Sequence, residues 1–139
     1  MDFPNFLKPY INNNQIVFKP LVNFIELQNL MAGVDVNIVP LVNNRFTNCK
    51  SELKFFEGAI VETLTVATPI YTYKNCIQNG KTGFLCNPGE WLGILEKIYN
   101  KDVDYCNIVK NAHKFAIEEY YGEKFLTEVE SCFDYFTNI

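Results

Sequence analysis

The chain has 139 residues, 48% hydrophobic and 20% charged, the make-up of one globular domain long enough to bury a core. Its formal net charge of -4 argues against non-specific nucleic-acid binding, whose electrostatic part needs clustered Lys and Arg. No apolar run reaches the length of a membrane span and no export signal precedes Asp2, and five dispersed cysteines (Cys49, Cys76, Cys86, Cys106, Cys132) lack C-x-x-C spacing, so the reading is a cytoplasmic protein with reduced thiols.

In chain order, Phe3, Phe6, Leu7 and Tyr10 line one side of a short helix that Pro4 and Pro9 interrupt, and Asn12-Asn13-Asn14 turns the chain. Ile16-Val17-Phe18 reads as a short buried strand stopped by Pro20. Phe24, Leu27, Leu30 and Met31 recur at helical spacing before Gly33, which predicts an amphipathic helix with Phe24 and Met31 in the core. Val34 to Leu41 is the strongest strand, a nearly continuous apolar run of the kind that parallel sheets cover on both faces.

An Asn43-Asn44-Arg45 loop leads into a helix that opens near Ser51 and carries Leu53, Lys54 and Glu57 on roughly one face. Ser51 is placed as an N-cap, its hydroxyl accepting from an otherwise unpaired amide. Such a helix start offers free amides and a positive dipole end, where phosphates settle in strand–loop–helix folds. A carboxylate two turns along, Glu57, would then receive sugar hydroxyls; the plainer alternative is a capped amphipathic helix with a solvated Glu.

Leu64 to Thr68 is a second buried strand ended by Pro69, and Phe84-Leu85-Cys86 a third, after the turns at Asn79-Gly80 and Gly83. Beyond Asn87 the pattern is helical. Trp91, Leu92, Leu95, Ile98 and Tyr99 form one stripe, and Ile108, Val109, Ala112, Phe115, Ala116 and Tyr120 another, capped by Asp102 or Asp104. Past Gly122, Phe125, Leu126, Val129, Phe133 and Phe136 make a terminal helix. Trp91 is expected as a packing anchor and His113, the only histidine, as a helix-surface residue. Strands alternating with helices predict an α/β fold with a short parallel sheet flanked by helices and a helical tail over residues 104–139. Ligands of such sheets bind beyond the carboxyl ends of the strands. The loops there are Val42–Lys50, Pro69–Tyr73 and Cys86–Gly89.

Four ordered segments carry a family resemblance. Asp35-Val36-Asn37-Ile38-Val39-Pro40-Leu41 followed by Lys50-Ser51-x-x-Lys54-x-x-Glu57 resembles the carboxy-terminal, nucleotide-sugar-binding domain of GT-B glycosyltransferases of the family 4 (group 1) type. Asn79-Gly80-Lys81-Thr82-Gly83-Phe84-Leu85 is similar to that family's "nGxtGxLv" segment, Glu90-Trp91 with Leu95 to its "eeW…l" helix, and Asn111-Ala112 with Tyr120 to its "nA…Y" tail. The resemblance implies a Rossmann-like fold and no cofactor beyond the nucleotide diphosphate sugar that serves as substrate. It implies that the backbone of Lys50, Ser51 and Glu52, assisted by the Ser51 hydroxyl, holds the donor's diphosphate. Lys50 and Lys54 are phosphate partners on this view, and Glu57 accepts both ribose hydroxyls in charge-assisted bonds.

The chain departs from the family in three places. Cys49 stands where the family's companion glutamate contacts the donor sugar, and Glu62-Thr63-Leu64 replaces a Gly-x-Pro turn. The first two strand–helix units, with their basic pair, and the amino-terminal acceptor-binding domain have no counterpart, so residues 1–139 are expected as one partial domain, a fragment of a longer enzyme. Family sheets run 3-2-1-4-5-6, which predicts open edges that invite self-association. The parent would transfer sugar to a glycan or lipid-linked acceptor, at the inner face of the membrane, in polysaccharide synthesis. The competing reading is a non-catalytic α/β interaction module that docks a partner through its aromatic tail, against which stands ordinary packing of Tyr120, Tyr121, Phe125, Phe133, Tyr135 and Phe136 on the sheet.

Overall fold

A computed structural model describes residues 4–137, with side chains as far as Phe133. The expectations for Phe3, and for the side chains of Tyr135 and Phe136, lie outside what is described. A 3-10 turn at Asn5–Leu7 and helix α1 (Lys8–Asn12) open the chain, with Pro9 in the first turn of α1, where its missing N–H costs nothing. Helix α2 (Phe24–Ala32) follows. Its N-cap is Asn23, whose side chain accepts from the Glu26 amide at 2.9 Å. Then come β1 (Val36–Val39), α3 (Leu53–Ile60), β2 (Leu64–Ala67), α4 (Tyr71–Cys76), β3 (Phe84–Leu85), α5 (Trp91–Tyr99), α6 (Tyr105–Tyr120) and α7 (Glu123–Thr137).

The three strands form one parallel sheet in the order β1-β2-β3. Val36 sits opposite Leu64 and Val39 opposite Ala67, while Val66 and Ala67 face Phe84 and Leu85. All of β2 is buried because both of its neighbours are strands and both of its faces are covered. The period of two sorts its side chains. Leu64 and Val66 join Phe84, Cys86, Ile108 and Val109 in one core, and Ala67 joins Phe55, Ala59, Ile70, Tyr73, Ala112 and Ala116 in the other. Trp91 packs half-buried against the first of these, the anchor its sequence position suggests. Helix α6 serves both cores, its first half one and its second half the other.

Two sequence expectations fail for one reason. Ile16-Val17-Phe18 is not a strand, and Val17 and Phe18 are exposed. Their β-branched and aromatic character gives propensity, but a strand needs a neighbouring ladder, and none is offered. Phe24 is exposed rather than core, and no residue of α2 is buried. Beside β1, among the described residues, the sheet ends: Ile38, mid-strand, is 47% exposed. The tail departs from ordinary packing too. Helix α7 lies against α6 rather than the sheet, leaving Phe125, Leu126, Val129 and Phe133 exposed.

Candidate functional site

The carboxyl ends of β1 and β2 are stitched together by side chains. The Thr68 amide donates to Val39 O at 3.1 Å, and the Thr68 hydroxyl accepts from the Leu41 amide at 2.9 Å, so the two strands leave the sheet in fixed relation. The chain after β1 then coils on itself. Thr47 is buried, its hydroxyl donating to Val42 O at 2.6 Å, while Asn44 Oδ1 accepts from the Thr47 amide at 2.9 Å. Asn48 completes the brace. Its Nδ2 donates to Asn43 Oδ1 (2.6 Å) and Asn44 O (2.8 Å), and its Oδ1 accepts from the Tyr71 amide at 2.7 Å, at the start of α4. One amide side chain thereby joins the loop after β1 to the loop after β2. The sequence signal for this was an Asx residue three positions before Thr47, a pattern that binds its own backbone.

Helix α3 begins at Leu53, one residue later than a Ser51 cap requires. Glu52 holds the N-cap position with no side-chain cap bond, and its carbonyl accepts from Phe55 (2.8 Å) and Phe56 (3.2 Å). Ser51 is therefore not the cap. The extended backbone of Lys50 (ψ 148) carries the chain out of the preceding 3-10 turn, Glu52 (φ -79, ψ 12) is still not helical, and helical geometry is reached only at Leu53. The amides before Phe55 are left without intrahelical acceptors, as at any helix start. Lys50 and Ser51 are exposed, and the Lys50 ammonium rests 4.9 Å from the centre of the Phe46 ring.

Glu57 is the fifth residue of α3 and 4% exposed. Its Oε2 is 2.9 Å from Lys54 Nζ, and the Lys54 side chain is 53% exposed. The carboxylate thus lies under a half-exposed lysine rather than in an open cleft, and a sugar hydroxyl reaches it only by displacing Lys54. Tyr73, on α4, is buried nearby; burial, then Cys76, Glu52 and Glu57, push its hydroxyl up to about 12. Burial and then Glu52 push the Cys76 thiol up to about 12 as well, so neither group is an acid or a nucleophile at neutral pH.

Helix α6 clamps α3 at both ends. The Tyr120 hydroxyl donates to Glu52 Oε1 at 2.7 Å, and its ring meets Phe56 edge-on at 4.9 Å between centroids. At the far end, His113 Nδ1 lies 3.2 Å from Ala59 O and 3.1 Å from Ile60 O, so that nitrogen carries the proton and caps the last carbonyls of α3. His113 is accordingly a half-buried cap, not a surface residue. Behind Glu52 and Tyr120 lies a cavity of about 360 Å³, lined also by Thr72, Asn75, Cys76 and Phe115. A larger apolar groove of about 740 Å³ lies at the opposite, amino end of β1, beside Asp35, Ile98 and Tyr105, away from where ligands of parallel sheets bind. Among the described residues there is no cluster of His, Cys, Asp and Glu able to hold a metal ion, and no helix long and apolar enough to cross a membrane.

No family profile and no curated protein matches the chain. It is similar to the crystal structure of Anabaena Alr3699/HepE in complex with UDP, with 19% identity and a TM-score of 0.59, over 76% of this chain and 29% of that one. It is also similar to the crystal structure of the C-terminal domain of a glycosyl transferase group 1 family protein (LpcC) from Francisella tularensis, with 17% identity and a TM-score of 0.64, over 85% of this chain and 60% of that one. The chain spans less than two thirds of either. At such identities the likeness is one of fold: the chain carries part of the Rossmann-like fold of a GT-B C-terminal glycosyltransferase domain.

Proposed function

We propose that this chain is the donor-binding part of a glycosyltransferase that transfers a sugar from a nucleotide diphosphate sugar to a glycan or lipid-linked acceptor. The observation that carries the reading is the pairing of a GT-B-like fold, one of whose structural neighbours holds UDP, with an acid-poor loop feeding α3 at the carboxyl end of β1. On this reading the amides of Lys50, Ser51 and Glu52 take the diphosphate, with the Ser51 hydroxyl, which no cap bond engages, assisting. Lys54 swings from Glu57 to a phosphate, and Glu57, so released, accepts the ribose hydroxyls. Charge that builds on the leaving diphosphate is stabilised by amides and ammonium groups. The acceptor is held by a further, amino-terminal domain, and this chain alone binds nucleotide weakly without turnover. The setting is the cytoplasm, at the inner membrane face, in polysaccharide synthesis.

Titration of UDP and GDP against wild type and Glu57→Ala tests the reading. Saturable binding that Glu57→Ala weakens about tenfold supports it. Equal binding by both proteins removes Glu57 from the site. A second reading, a non-catalytic interaction module, draws on the bare edge of β1 and the exposed apolar residues of α7. It predicts no saturable nucleotide binding and concentration-dependent association through those surfaces.

A further inference from the structure

The cavity behind Glu52 and Tyr120 has no role in the proposed donor binding, and its wall is chemically uneven. It measures about 360 Å³ and lies between the start of α3, α4, the second half of α6 and the first half of α7. Three carboxylates border it, Glu52, Glu119 and Glu128, and no Lys or Arg does. Lys124 is taken up by Glu119 at 2.6 Å, and among the described residues neither Glu52 nor Glu128 has an ion-pair partner. Glu52 Oε1 accepts from the neutral Tyr120 hydroxyl, which leaves the charge uncompensated, and Oε2 has no partner. Two negative charges therefore stand at this cavity without a counterion. That of Glu52 is felt in the wall itself: after burial, it is the cause that holds the Cys76 thiol up at about 12.

The rest of the wall is aromatic and polar. Phe115, Tyr120 and Phe125 contribute rings, which attract cations and also cover methylene groups well. Thr72 lines the cavity too, and its hydroxyl oxygen is shut off from bulk solvent with no hydrogen-bond partner. A buried hydroxyl left unpaired is destabilising, so the group that bonds to it is missing from the free chain. The acids do not converge on a metal site: among the described residues no cluster of His, Cys, Asp and Glu is able to hold a metal ion. The complementary charge must then be carried by an organic cation. Two unpaired carboxylates on different helices, α3 and α7, with apolar rings between α6 and α7, match two ammonium groups joined by a short apolar chain.

We propose that this cavity binds a short aliphatic diamine as its dication. One ammonium pairs with Glu52 and donates an N–H to Thr72 Oγ1, the other pairs with Glu128, and the methylene chain lies against Phe115 and Phe125. Charge-assisted hydrogen bonds supply the affinity, and the spacing of the two carboxylates selects a diamine over a monoamine. Nothing here depends on nucleotide binding, so the two readings fail separately.

The experiment measures binding of putrescine, of butylamine (the same chain with one amine) and of Mg²⁺ to the full chain, by calorimetry and NMR at two salt concentrations. Wild type, Glu128→Gln, Glu52→Gln, Thr72→Val and the remote control Glu96→Gln are compared. Putrescine is expected to saturate wild type in the millimolar range, about tenfold tighter than butylamine, and to weaken as salt rises. Mg²⁺ at equal concentration leaves it in place. Glu128→Gln and Glu52→Gln each weaken putrescine about tenfold, and Glu96→Gln leaves it unchanged. The Glu128 side chain is exposed, so Glu128→Gln keeps the wild-type melting temperature. Thr72→Val loses the orphan hydroxyl, so its free form melts no lower than wild type while it binds putrescine about threefold more weakly. The proposal is overturned if putrescine shows no saturable binding at millimolar concentration, if Glu128→Gln binds it as wild type does, or if equal Mg²⁺ displaces it. Saturable UDP binding without putrescine binding refutes the cavity proposal and leaves the nucleotide reading standing; putrescine binding without UDP binding does the reverse.

Discussion

Three glycines differ in what an added methyl group would cost. At Gly83 an added Cβ would sit 2.7 Å from the backbone oxygen of Thr65, in mid-β2, and 3.3 Å from Ile77 Cγ2. Its φ of 158 is itself positive, so backbone strain adds to the steric cost there. The strand cannot yield cheaply, because Thr65 O belongs to the central, wholly buried strand. Overpacking of this kind costs about 1–3 kcal/mol, and displacement of β3 from β2 adds to it, so Gly83→Ala is expected to lose about 2–4 kcal/mol. At Gly89 φ is 92 and nothing lies within 4 Å, so Gly89→Ala carries only left-handed strain, about 1 kcal/mol. Gly93, inside α5, has open space and an ordinary φ, and Gly93→Ala is expected to gain about 0.5–1 kcal/mol of helix propensity. Urea unfolding followed by the single tryptophan, Trp91, reads all three. The predicted order of stability is Gly93→Ala, wild type, Gly89→Ala, Gly83→Ala. A Gly83→Ala protein no weaker than Gly89→Ala would refute the close approach of the turn to β2.

Three further outcomes follow from the same structure. Glu62 has φ 58 at the end of α3, and the Thr63 amide reaches back to Gly58 O at 2.9 Å, a helix end that favours glycine; Glu62→Gly should gain about 1 kcal/mol by denaturant titration. Folding raises the Cys76 thiol from 9.0 and the Tyr73 hydroxyl from 10.0, each to about 12, so the folded chain holds these protons more tightly. Their contribution is complete below pH 9 and lost as pH rises from 9 to about 12; melting temperatures should fall across that window, and a Cys76→Ala variant should fall less. Truncation after Tyr121 removes α7, whose described side chains are exposed, and should leave a cooperatively unfolding protein, whereas truncation after Asp104 removes Ile108, Val109, Ala112 and Ala116 from both cores and should abolish the folded circular-dichroism signal.

The three parallel strands and the helices between them were legible because each strand is short, apolar and bounded by Pro, Gly or Asn. Leu64–Ala67 is buried on both faces, so its apolar run could mean little else. What the sequence left hidden is what depends on absent neighbours. Ile16-Val17-Phe18 has the composition of a strand and no ladder to join, and Phe24 has the spacing of a core residue on a helix with nothing to cover it. At the site, Lys50, Ser51, Lys54 and Glu57 fall on the predicted loop and helix, but burial of Glu57 beneath Lys54 could not be read from spacing, because i, i+3 pairing describes any helix surface. The Asn44–Thr47 turn has a local Asx signal, but the tie of Asn48 to Tyr71, twenty-three residues on, could not be read from the sequence.

The tail resemblance acquires a physical reason from the α3–α6 clamp. Tyr120 meets the start of α3 and His113 its end, so seven residues of α6, about 10 Å of helix, lie alongside the stretch from Glu52 to Ile60, running the opposite way. The helix start proposed to hold phosphate is therefore set from three sides. Asn37 Nδ2 reaches Lys54 O from β1 at 2.8 Å, Tyr120 fixes Glu52 from α6, and the loop brace fixes the approach from Val42. Each tie comes from a different segment of the sequence. The Glu52 carboxylate, by turning to Tyr120, is also drawn away from the place where it would repel an incoming anion. On the proposed reading, the orientation of that one acid matters more to phosphate binding at the helix start than any cap at Ser51.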